Sequence, residues 1–256
     1  MPATSKVKHN GLTLTFTEAD HKYVDSLGMT YTSVTTLLKH YFPQFDAEAT
    51  AKRMEEEGKG LAKDLLAEWD QKREDACEYG TRCHETFEDS LLGRKPRHVP
   101  RDDREKESFR LVWDYAKKQI LGNLEVIKPE MMVFMPGWLG GIAGTIDLPA
   151  RSEDGTVWIL DVKTNAKLRS EGFQGQTALT PIEHMQDCEM SKYGLQLSIY
   201  QQILVWAGYV PRTTKFKRAV LWVKPEESVV EMIQLPDYEK EALSILLDWC
   251  TDKAPF

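Results

Sequence analysis

Two acidic residues and a lysine stand at the ends of two consecutive predicted strands. Asp147 closes the first strand, and Asp161 lies near the end of the next, two residues before Lys163. The turn at Glu153–Gly155 joins the strands, so the two carboxylates are expected to converge on one point. Convergent carboxylates, together with carbonyls and waters, suit a hard cation such as Mg²⁺.

Lys163 follows Asp161 at the spacing that places two strand side chains on the same face. Its ammonium is therefore predicted to lie beside the cation and to face the same substrate. There it could orient or deprotonate a water and stabilise charge on a phosphate. A lone Asp-x-Lys at a strand end is commonly a surface feature, so the hypothesis depends on accompanying residues.

Several further residues could accompany this pair. His84 and Glu88 are one turn apart on a predicted helix and share a face, and Gln196 and Tyr200 do the same on the helix after the Asp161 strand. Glu130 is placed in the strand before Asp147. Taken singly, each has a plain structural explanation as a solvated surface pair or an ordinary helix residue.

Taken together and in this order, these residues resemble the PD-(D/E)XK nuclease superfamily, specifically its RecB-like branch. That branch includes Cas4-type proteins, phage recombination exonucleases and the mitochondrial genome maintenance exonuclease. The matching segments span roughly half of the chain and are Gly80–Glu88, Glu130, Gly144–Asp147, Leu160–Thr164 and Gln196–Tyr200.

The resemblance implies a role for each matching residue in the metal site. Asp147 and Asp161 look like the carboxylates that bridge the metal, and His84 looks like the additional metal ligand of this branch. Lys163 looks like the catalytic lysine. Val162 occupies the position whose backbone carbonyl binds the metal in relatives.

Three further positions take supporting roles by the same resemblance. Glu130 corresponds to the acidic residue one strand upstream, which binds metal through water. Gln196 and Tyr200 correspond to a helix pair that supports the site and contacts the DNA backbone. We therefore expect Mg²⁺ or Mn²⁺ as the cofactor.

The four cysteines depart from the iron–sulfur pattern of some relatives. Those relatives use one upstream cysteine and three clustered near the C-terminus, whereas only Cys250 is C-terminal here. No pair has the spacing of a zinc ribbon. We expect no iron–sulfur cluster, and the scattered free thiols fit a reducing compartment.

Contacts to the DNA backbone are predicted at two places. The segment Thr30–Thr36, with Ser33 and Thr35, resembles a Ser/Thr-rich start to the first helix in stand-alone relatives, where N–H and hydroxyl groups can bind phosphate. An ordinary N-cap is the alternative interpretation. Basic residues near the site are the other candidates, with solubility as their alternative role: Lys167, Arg169, Arg212, Lys215, Lys217 and Arg218.

The elements that must position these residues follow from the apolar periodicity. A short β-hairpin is predicted up to about Gly28, then helices from Thr32–Ser33, over 46–93 and from Asp103 to about Leu121. A three-strand meander follows, then a helix at 193–208, two more strands and a final helix over 238–250. The meander strands are predicted at Leu124–Phe134, Gly141–Leu148 and Thr156–Val162.

This order predicts an α/β fold. The resemblance makes it a restriction-endonuclease-like core, with a mixed central β-sheet flanked by helices and a helical N-terminal elaboration. Residues 1–121 form the hairpin and the helical region with the His84 motif, and residues 122–256 form the nuclease core, all in one integrated domain. The charged region 46–93 could form the wall of a DNA channel.

Composition limits the partners. The net charge of −7 and pI near 5.5 argue against binding nucleic acid over the whole surface, so any contact is expected in a local groove. The start of the chain lacks an apolar signal core, and no long apolar run follows. We therefore expect a soluble, cytoplasmic protein (host cytoplasm if phage-encoded) without membrane contact.

The functional expectation is a Mg²⁺- or Mn²⁺-dependent exonuclease that acts on single-stranded DNA or duplex ends in recombination, repair or phage DNA processing. A recombination or replication protein is a candidate partner, and the oligomeric state is left open. One alternative is a non-catalytic DNA-binding or scaffolding module of the same fold. Another is a metal-dependent hydrolase of RNA or another phosphodiester.

Overall fold

The computed structural model of the chain describes residues 4–137 and 140–252, which form a mixed α/β structure. Residues 1–3, 138–139 and 253–256 lie outside the description, and with them the outermost ends of the regions predicted as 1–121 and 122–256. The described helices are α1 Val34–Lys39, α2 Ala47–Glu56, α3 Ala62–Leu91, α4 Asp103–Tyr115, α5 Glu189–Trp206 and α6 Glu239–Asp252. The described strands are β1 Thr4–His9, β2 Leu12–Thr17, β3 Lys22–Asp25, β4 Thr30–Ser33, β5 Glu125–Val126, β6 Met131–Met135, β7 Gly141–Ile146, β8 Leu148–Arg151, β9 Val157–Lys163, β10 Phe216–Lys224 and β11 Val229–Gln234.

The N-terminal hairpin is present and is longer than predicted. Strands β1 and β2 pair antiparallel around Asn10–Gly11, where both residues have positive φ (46° and 78°). Such a turn matches the twist of the two strands. Strands β3 and β4 continue the antiparallel pairing, and β4 then pairs in parallel with β7. The N-terminal strands are thus part of a sheet that includes residues from the second half of the chain.

The described strands form two mixed sheets where the sequence predicts one. The six-stranded sheet has the order β1-β2-β3-β4-β7-β6, and the five-stranded sheet has the order β11-β10-β9-β8-β5. The predicted three-strand meander keeps its antiparallel pairings, β6 with β7 and β8 with β9, but these pairs belong to different sheets. Its middle strand bends at Asp147, so that β7 pairs with β6 in one sheet while β8 pairs with β9 in the other.

Helix α5 lies at the centre of the larger apolar core. It follows β9 and precedes β10, and these two strands pair in parallel, as expected for a crossover connection. Leu195, Ile199 and Ile203 are fully buried in the cluster that α5 shares with α1 and α6. Burial of each such side chain contributes about 1.5–3 kcal/mol. The helix is therefore a rigid support for any side chain that it directs at the sheets.

Helix α3 is much longer than its neighbours. Its 30 residues span about 45 Å at 1.5 Å per residue. Its buried residues lie only between Cys83 and Leu91, where they pack against α4 and the five-stranded sheet. The first two thirds of the helix are held mainly by α2 and solvent-facing ion pairs. This geometry anchors the His84 end and leaves the other end extended beside the molecule.

Several local predictions are confirmed. Ser33 caps α1 by accepting a hydrogen bond from the Thr36 N–H at 3.0 Å. The helices predicted over 46–93, 193–208 and 238–250 correspond to α2 with α3, α5 and α6. The four cysteines all carry free thiols.

Across the described ranges, none of the helices combines the length and the apolarity that a membrane crossing requires.

Gly144 allows α5 to approach β7, which generates a first prediction. A methyl group at this position would lie 2.6 Å from the Tyr200 hydroxyl and 2.8 Å from its ring carbon Cε1. We expect Gly144→Ala to lower the free energy of unfolding by about 1–3 kcal/mol, because the buried ring must move. Urea unfolding followed by circular dichroism measures this change.

The matched control is Gly80→Ala in α3. A methyl group there meets only the Thr164 hydroxyl oxygen at 3.4 Å, and alanine favours a helix over glycine by roughly 1 kcal/mol. Gly80→Ala should therefore keep or raise the stability. Equal stability of Gly144→Ala and the unmodified protein would contradict the packing argument.

Candidate metal centre

Asp147 is fixed by hydrogen bonds from both sheets at the point where the chain leaves one for the other. Its backbone carbonyl accepts a hydrogen bond from the Glu130 N–H at 2.8 Å, next to the six-stranded sheet. Its carboxylate oxygen Oδ2 accepts one from the Val162 N–H at 2.9 Å, in the five-stranded sheet. The carboxylate therefore accepts a hydrogen bond from β9 that a neighbouring strand would otherwise accept, and this holds it in one orientation.

His84 and Glu130 meet Asp147 at this joint. His84 Nδ1 lies 3.2 Å from Asp147 Oδ2 and 3.9 Å from Glu130 Oε1. One potential ligand atom from each of the three residues lies within 4.8 Å of the other two. An imidazole with two carboxylates suits a divalent cation such as Mn²⁺, and the carboxylates also suit Mg²⁺. We call these three residues the metal cluster.

Glu130 has an unusual backbone at the cluster. It precedes β6, in a turn rather than in the strand as predicted, and its φ is +48°. A residue with a Cβ in this left-handed region costs of order 1–3 kcal/mol. The Asp147 carbonyl holds it there through the Glu130 N–H, so the conformation that costs stability also directs a carboxylate at His84.

Asp161 and Lys163 form a buried ion pair beside the cluster. Lys163 Nζ lies 2.5 Å from Asp161 Oδ2, which confirms that the two side chains share a face of β9. Asp161 is only 4% exposed, so it lies in the interior and not at an open strand end. Its Oδ2 is directed at the Lys163 ammonium, and Asp161 lies outside the metal cluster.

The charges of this site shift one another's pKa values. Burial lowers the pKa of His84, but the nearby Asp147 and Glu130 carboxylates outweigh burial and raise it to about 9. Burial raises the pKa of Asp161 to about 6, against the Lys163 ammonium and with the help of Asp147. Burial also disfavours the Lys163 ammonium, yet Asp161 and Asp147 hold the lysine pKa above its usual value. The protonation of each of these groups therefore depends on the charge of the others.

The helix residues predicted to support the site occupy different depths. Tyr200 is 3% exposed, lies against Gly144, and has a raised pKa because of burial, with the hydrogen bond to Gln196 acting in the opposite direction. Gln196 is half-buried and lines a neighbouring groove. Tyr200 therefore lies behind the metal cluster, and its hydroxyl is not on a surface that DNA could reach.

The Val162 backbone faces the metal cluster. Its N–H donates to Asp147 Oδ2, and the N–H and C=O of one strand residue point to the same side of the strand. The Val162 carbonyl is therefore directed toward the Asp147 side of β9, where the resemblance implies a metal-binding carbonyl.

Tyr193 and Asn165 belong to the site but were missed in the sequence. Lys163 Nζ lies 4.7 Å from the centre of the Tyr193 ring, a cation–π distance. The Tyr193 hydroxyl donates to Asn165 Oδ1 at 3.1 Å, and Trp222 Nε1 donates to the Asn165 carbonyl at 2.8 Å. Tyr193 lies three residues before Gln196 on the same face of α5, which is the signal that could have revealed it.

One cleft, which we call the metal cleft, is lined by His84, Glu130, Lys163, Asn165 and Tyr193. Its volume is about 770 Å³, and it lies between the C-terminal half of α3, the N-terminal strands and the start of β6. Glu88 lines this cleft with His84, as their spacing on one helix face predicts, and it pairs with Arg97 at 2.6 Å. Arg97 also binds Asp89 at 2.7 Å, so the chain after α3 is fastened to its last turns.

The predicted DNA contacts separate into exposed and buried residues. Thr35, Lys167 and Arg169 are exposed, and Arg169 lies 3.9 Å from Glu189. Ser33 is buried and is used as the α1 cap. Arg218 is also buried and binds Asp237 at 2.8 Å, so its predicted surface role is wrong.

The other predicted basic residues are not close to the site. Lys217 pairs in register with Trp158 near the start of β9, whereas Lys163 ends that strand. Five residues of strand separate these positions by about 17 Å. Lys215 comes just before β10 at the same end of the sheet, and Arg212 lies further back along the chain.

Neither the known protein-family models nor the curated proteins include a match to this sequence.

Removal of a cluster carboxylate generates a second prediction, on metal binding. Asp147→Asn keeps an oxygen for the Val162 N–H but removes the charge, so the affinity for Mn²⁺ should fall at least about tenfold. Glu130→Gly should also weaken Mn²⁺ binding while keeping or raising stability, because glycine adopts positive φ freely. Electron paramagnetic resonance of free Mn²⁺, with thermal unfolding in parallel, measures both effects.

The matched control is Glu183→Gln, which neutralises an exposed carboxylate that lines none of these sites. It should leave the Mn²⁺ affinity unchanged. If Asp147→Asn and Glu183→Gln bind Mn²⁺ equally well, the cluster is not the metal site.

Proposed function

We propose that this chain is a Mg²⁺- or Mn²⁺-dependent deoxyribonuclease, an exonuclease of the RecB-like branch of the PD-(D/E)XK superfamily. The observation that carries the proposal is the convergence of the metal cluster with a lysine in one cleft. His84, Glu130 and Asp147 approach one another within ligand distance, and Lys163 lines the same cleft. Asp161 is buried and Asp147 is half-buried, so the negative charge of these two carboxylates costs stability unless a cation or a cationic side chain compensates it.

The fit of a divalent cation is supported by the donor set. His84, Asp147 and Glu130 would hold it, with the Val162 carbonyl on the same side. Asp161 Oδ2 pairs with the Lys163 ammonium beside them. A bound cation would supply an activated water and would draw charge from the phosphate. That is the chemistry that phosphodiester hydrolysis requires.

The protein's own residues would perform the remaining steps. Lys163 would donate hydrogen bonds to the phosphate and stabilise the charge that develops on it. Asp161 keeps this ammonium charged, and the Tyr193 ring limits its direction. The buried Tyr200 and Gly144 hold α5 against β7, so the distance between the Asp147 and Lys163 elements is fixed.

We further propose a restriction-endonuclease-like core. In support, Asp147 lies between β7 and β8, Asp161 lies in β9, α5 follows, and β10 returns in parallel to β9. A role in recombination, repair or phage DNA processing, in the host cytoplasm if phage-encoded, is proposed with it. A recombination or replication protein would be the natural partner.

The third prediction concerns catalysis. With end-labelled single- and double-stranded DNA, we expect cleavage in Mg²⁺ or Mn²⁺ and none in EDTA. Lys163→Ala and Asp161→Asn should each lower the rate of cleavage at least about 100-fold, because each variant weakens the stabilisation of the negative charge that develops on the phosphate. Denaturing gels measure the products, and the labelled end reveals the polarity.

The control is Lys217→Ala, at the far end of β9 and β10, which should cut at the normal rate. If the DNA stays intact in both metals while DNA binding is retained, the proposal of a nuclease is wrong and the non-catalytic scaffolding module is favoured. Cleavage of RNA in preference to DNA would favour the alternative of a metal-dependent hydrolase of RNA or another phosphodiester.

A fourth prediction separates His84 from the carboxylates. His84→Ala leaves Asp147 and Glu130 in place, so the maximal rate should be largely recovered at high metal concentration. The Mg²⁺ concentration for half-maximal rate should rise several-fold, as expected for loss of one neutral ligand. An unchanged Mg²⁺ titration would show that His84 is not a ligand.

A further inference from the structure

Two other cavities adjoin the metal cleft. The first, which we call the basic cavity, has a volume of about 770 Å³ and shares Ala76, Cys77 and Asn165 with the metal cleft. The second, which we call the aromatic groove, has a volume of about 840 Å³ and shares Tyr193 with the metal cleft. The basic cavity and the aromatic groove also share Arg169. Each of the three cavities therefore adjoins the other two.

The metal cleft and the basic cavity differ in charge. Acidic side chains of the metal cleft include Glu18, Glu85, Glu88 and Glu130. The basic cavity has five cations and two carboxylates on its walls: Lys72, Arg73, Arg104, Lys167 and Arg169, against Asp75 and Glu189. An excess of cations beside a metal-binding cleft suits the backbone of a polyanion whose reacting phosphate lies at the metal.

Lys167 is the most available of these cations. It is exposed, and in the described part of the chain it forms no ion pair. Arg104 lies over the Tyr79 ring at 4.3 Å and reaches Glu226 only at 3.6 Å. Both side chains are exposed and line the basic cavity, so a phosphate can reach them without breaking a buried pair.

The aromatic groove exposes two phenylalanine rings. Phe45 is 71% exposed and Phe173 is 69% exposed, and both line this groove with Tyr193. Phe45 meets only the edge of Trp69, with ring centres 5.7 Å apart. Single exposed apolar residues are ordinary. Two such rings in a groove beside the cation-lined basic cavity suit a ligand with flat apolar faces.

We propose that a single strand of nucleic acid lies across these cavities, with phosphates on Lys167 and Arg169 and unstacked bases on Phe45 and Phe173. The inference rests on the proposed nuclease function and adds the substrate class. Bases of a duplex are stacked on one another, so their faces are closed to a side chain, whereas every base of a single strand offers a face for stacking. Cations with aromatic faces are the combination that single-strand binding uses.

The experiment measures binding in EDTA, where cleavage cannot interfere. The probes are a fluorescein-labelled oligothymidine of about 12 nucleotides, an abasic strand of equal length and a duplex of equal length. Phe173→Leu and Phe45→Leu should each weaken oligothymidine binding roughly 5- to 100-fold, the effect of losing one stacked base, and should not change abasic binding. Lys167→Gln should weaken the binding of both single strands. It should also lower by about 0.7 the slope of log affinity against log salt concentration.

The matched control is Trp206→Leu, since Trp206 is a 47% exposed aromatic residue on α5 outside these cavities. It should bind all three probes as the unmodified protein does. Unchanged oligothymidine binding in both phenylalanine variants would overturn the proposal, and so would duplex binding as tight as oligothymidine binding.

A cleavage assay in Mn²⁺ on the same oligothymidine keeps the two proposals distinguishable. Cleavage without any dependence of binding on Phe45 and Phe173 overturns the single-strand surface and leaves the nuclease. Absence of cleavage, with binding that depends on both rings, overturns the nuclease and supports a single-strand binding surface.

Discussion

The hydrogen bonds that Asp147 accepts hold the two β-sheets and the metal cluster in one geometry. The carbonyl of Asp147 receives the Glu130 N–H, and its carboxylate receives the Val162 N–H. Because the carboxylate stands in for a strand partner, it cannot rotate away without leaving a buried donor unpaired, which costs about 1–3 kcal/mol. The chain changes sheets at this residue, so the position of every other site residue depends on it.

Around this joint, the protein keeps charges where they cost stability. Asp161 is buried with a raised pKa, and Glu130 is held at positive φ. His84 faces the carboxylates of Asp147 and Glu130, and Lys163 faces those of Asp161 and Asp147. Isolated charges of this kind would unfold a site, whereas paired charges around a cation stabilise it. Strain and desolvation at one point, supported by the apolar core around α5, are what a preorganised reaction site requires.

The distribution of charge around the metal cluster supports the proposed binding of a polyanion by an acidic protein. The net charge is −7, yet cations are concentrated in the basic cavity while carboxylates line the metal cleft. At physiological salt, exposed charges act over about 8 Å, so the local arrangement outweighs the net charge. The exposed rings of Phe45 and Phe173 lie in the adjoining aromatic groove, where they add apolar faces beside the cationic walls.

The sequence determined what depends on neighbours along the chain. The spacing of Asp161 and Lys163 placed them on one strand face, Ser33 capped α1, and apolar periodicity located α5, because periods of two and 3.6 residues act over a few positions. Only the tertiary structure decided that the strand bends at Asp147, that two sheets form, and that Tyr193 meets Lys163 while Arg218 is buried. These outcomes depend on which distant backbone groups pair, and no local pattern records the partner of a hydrogen bond across the fold.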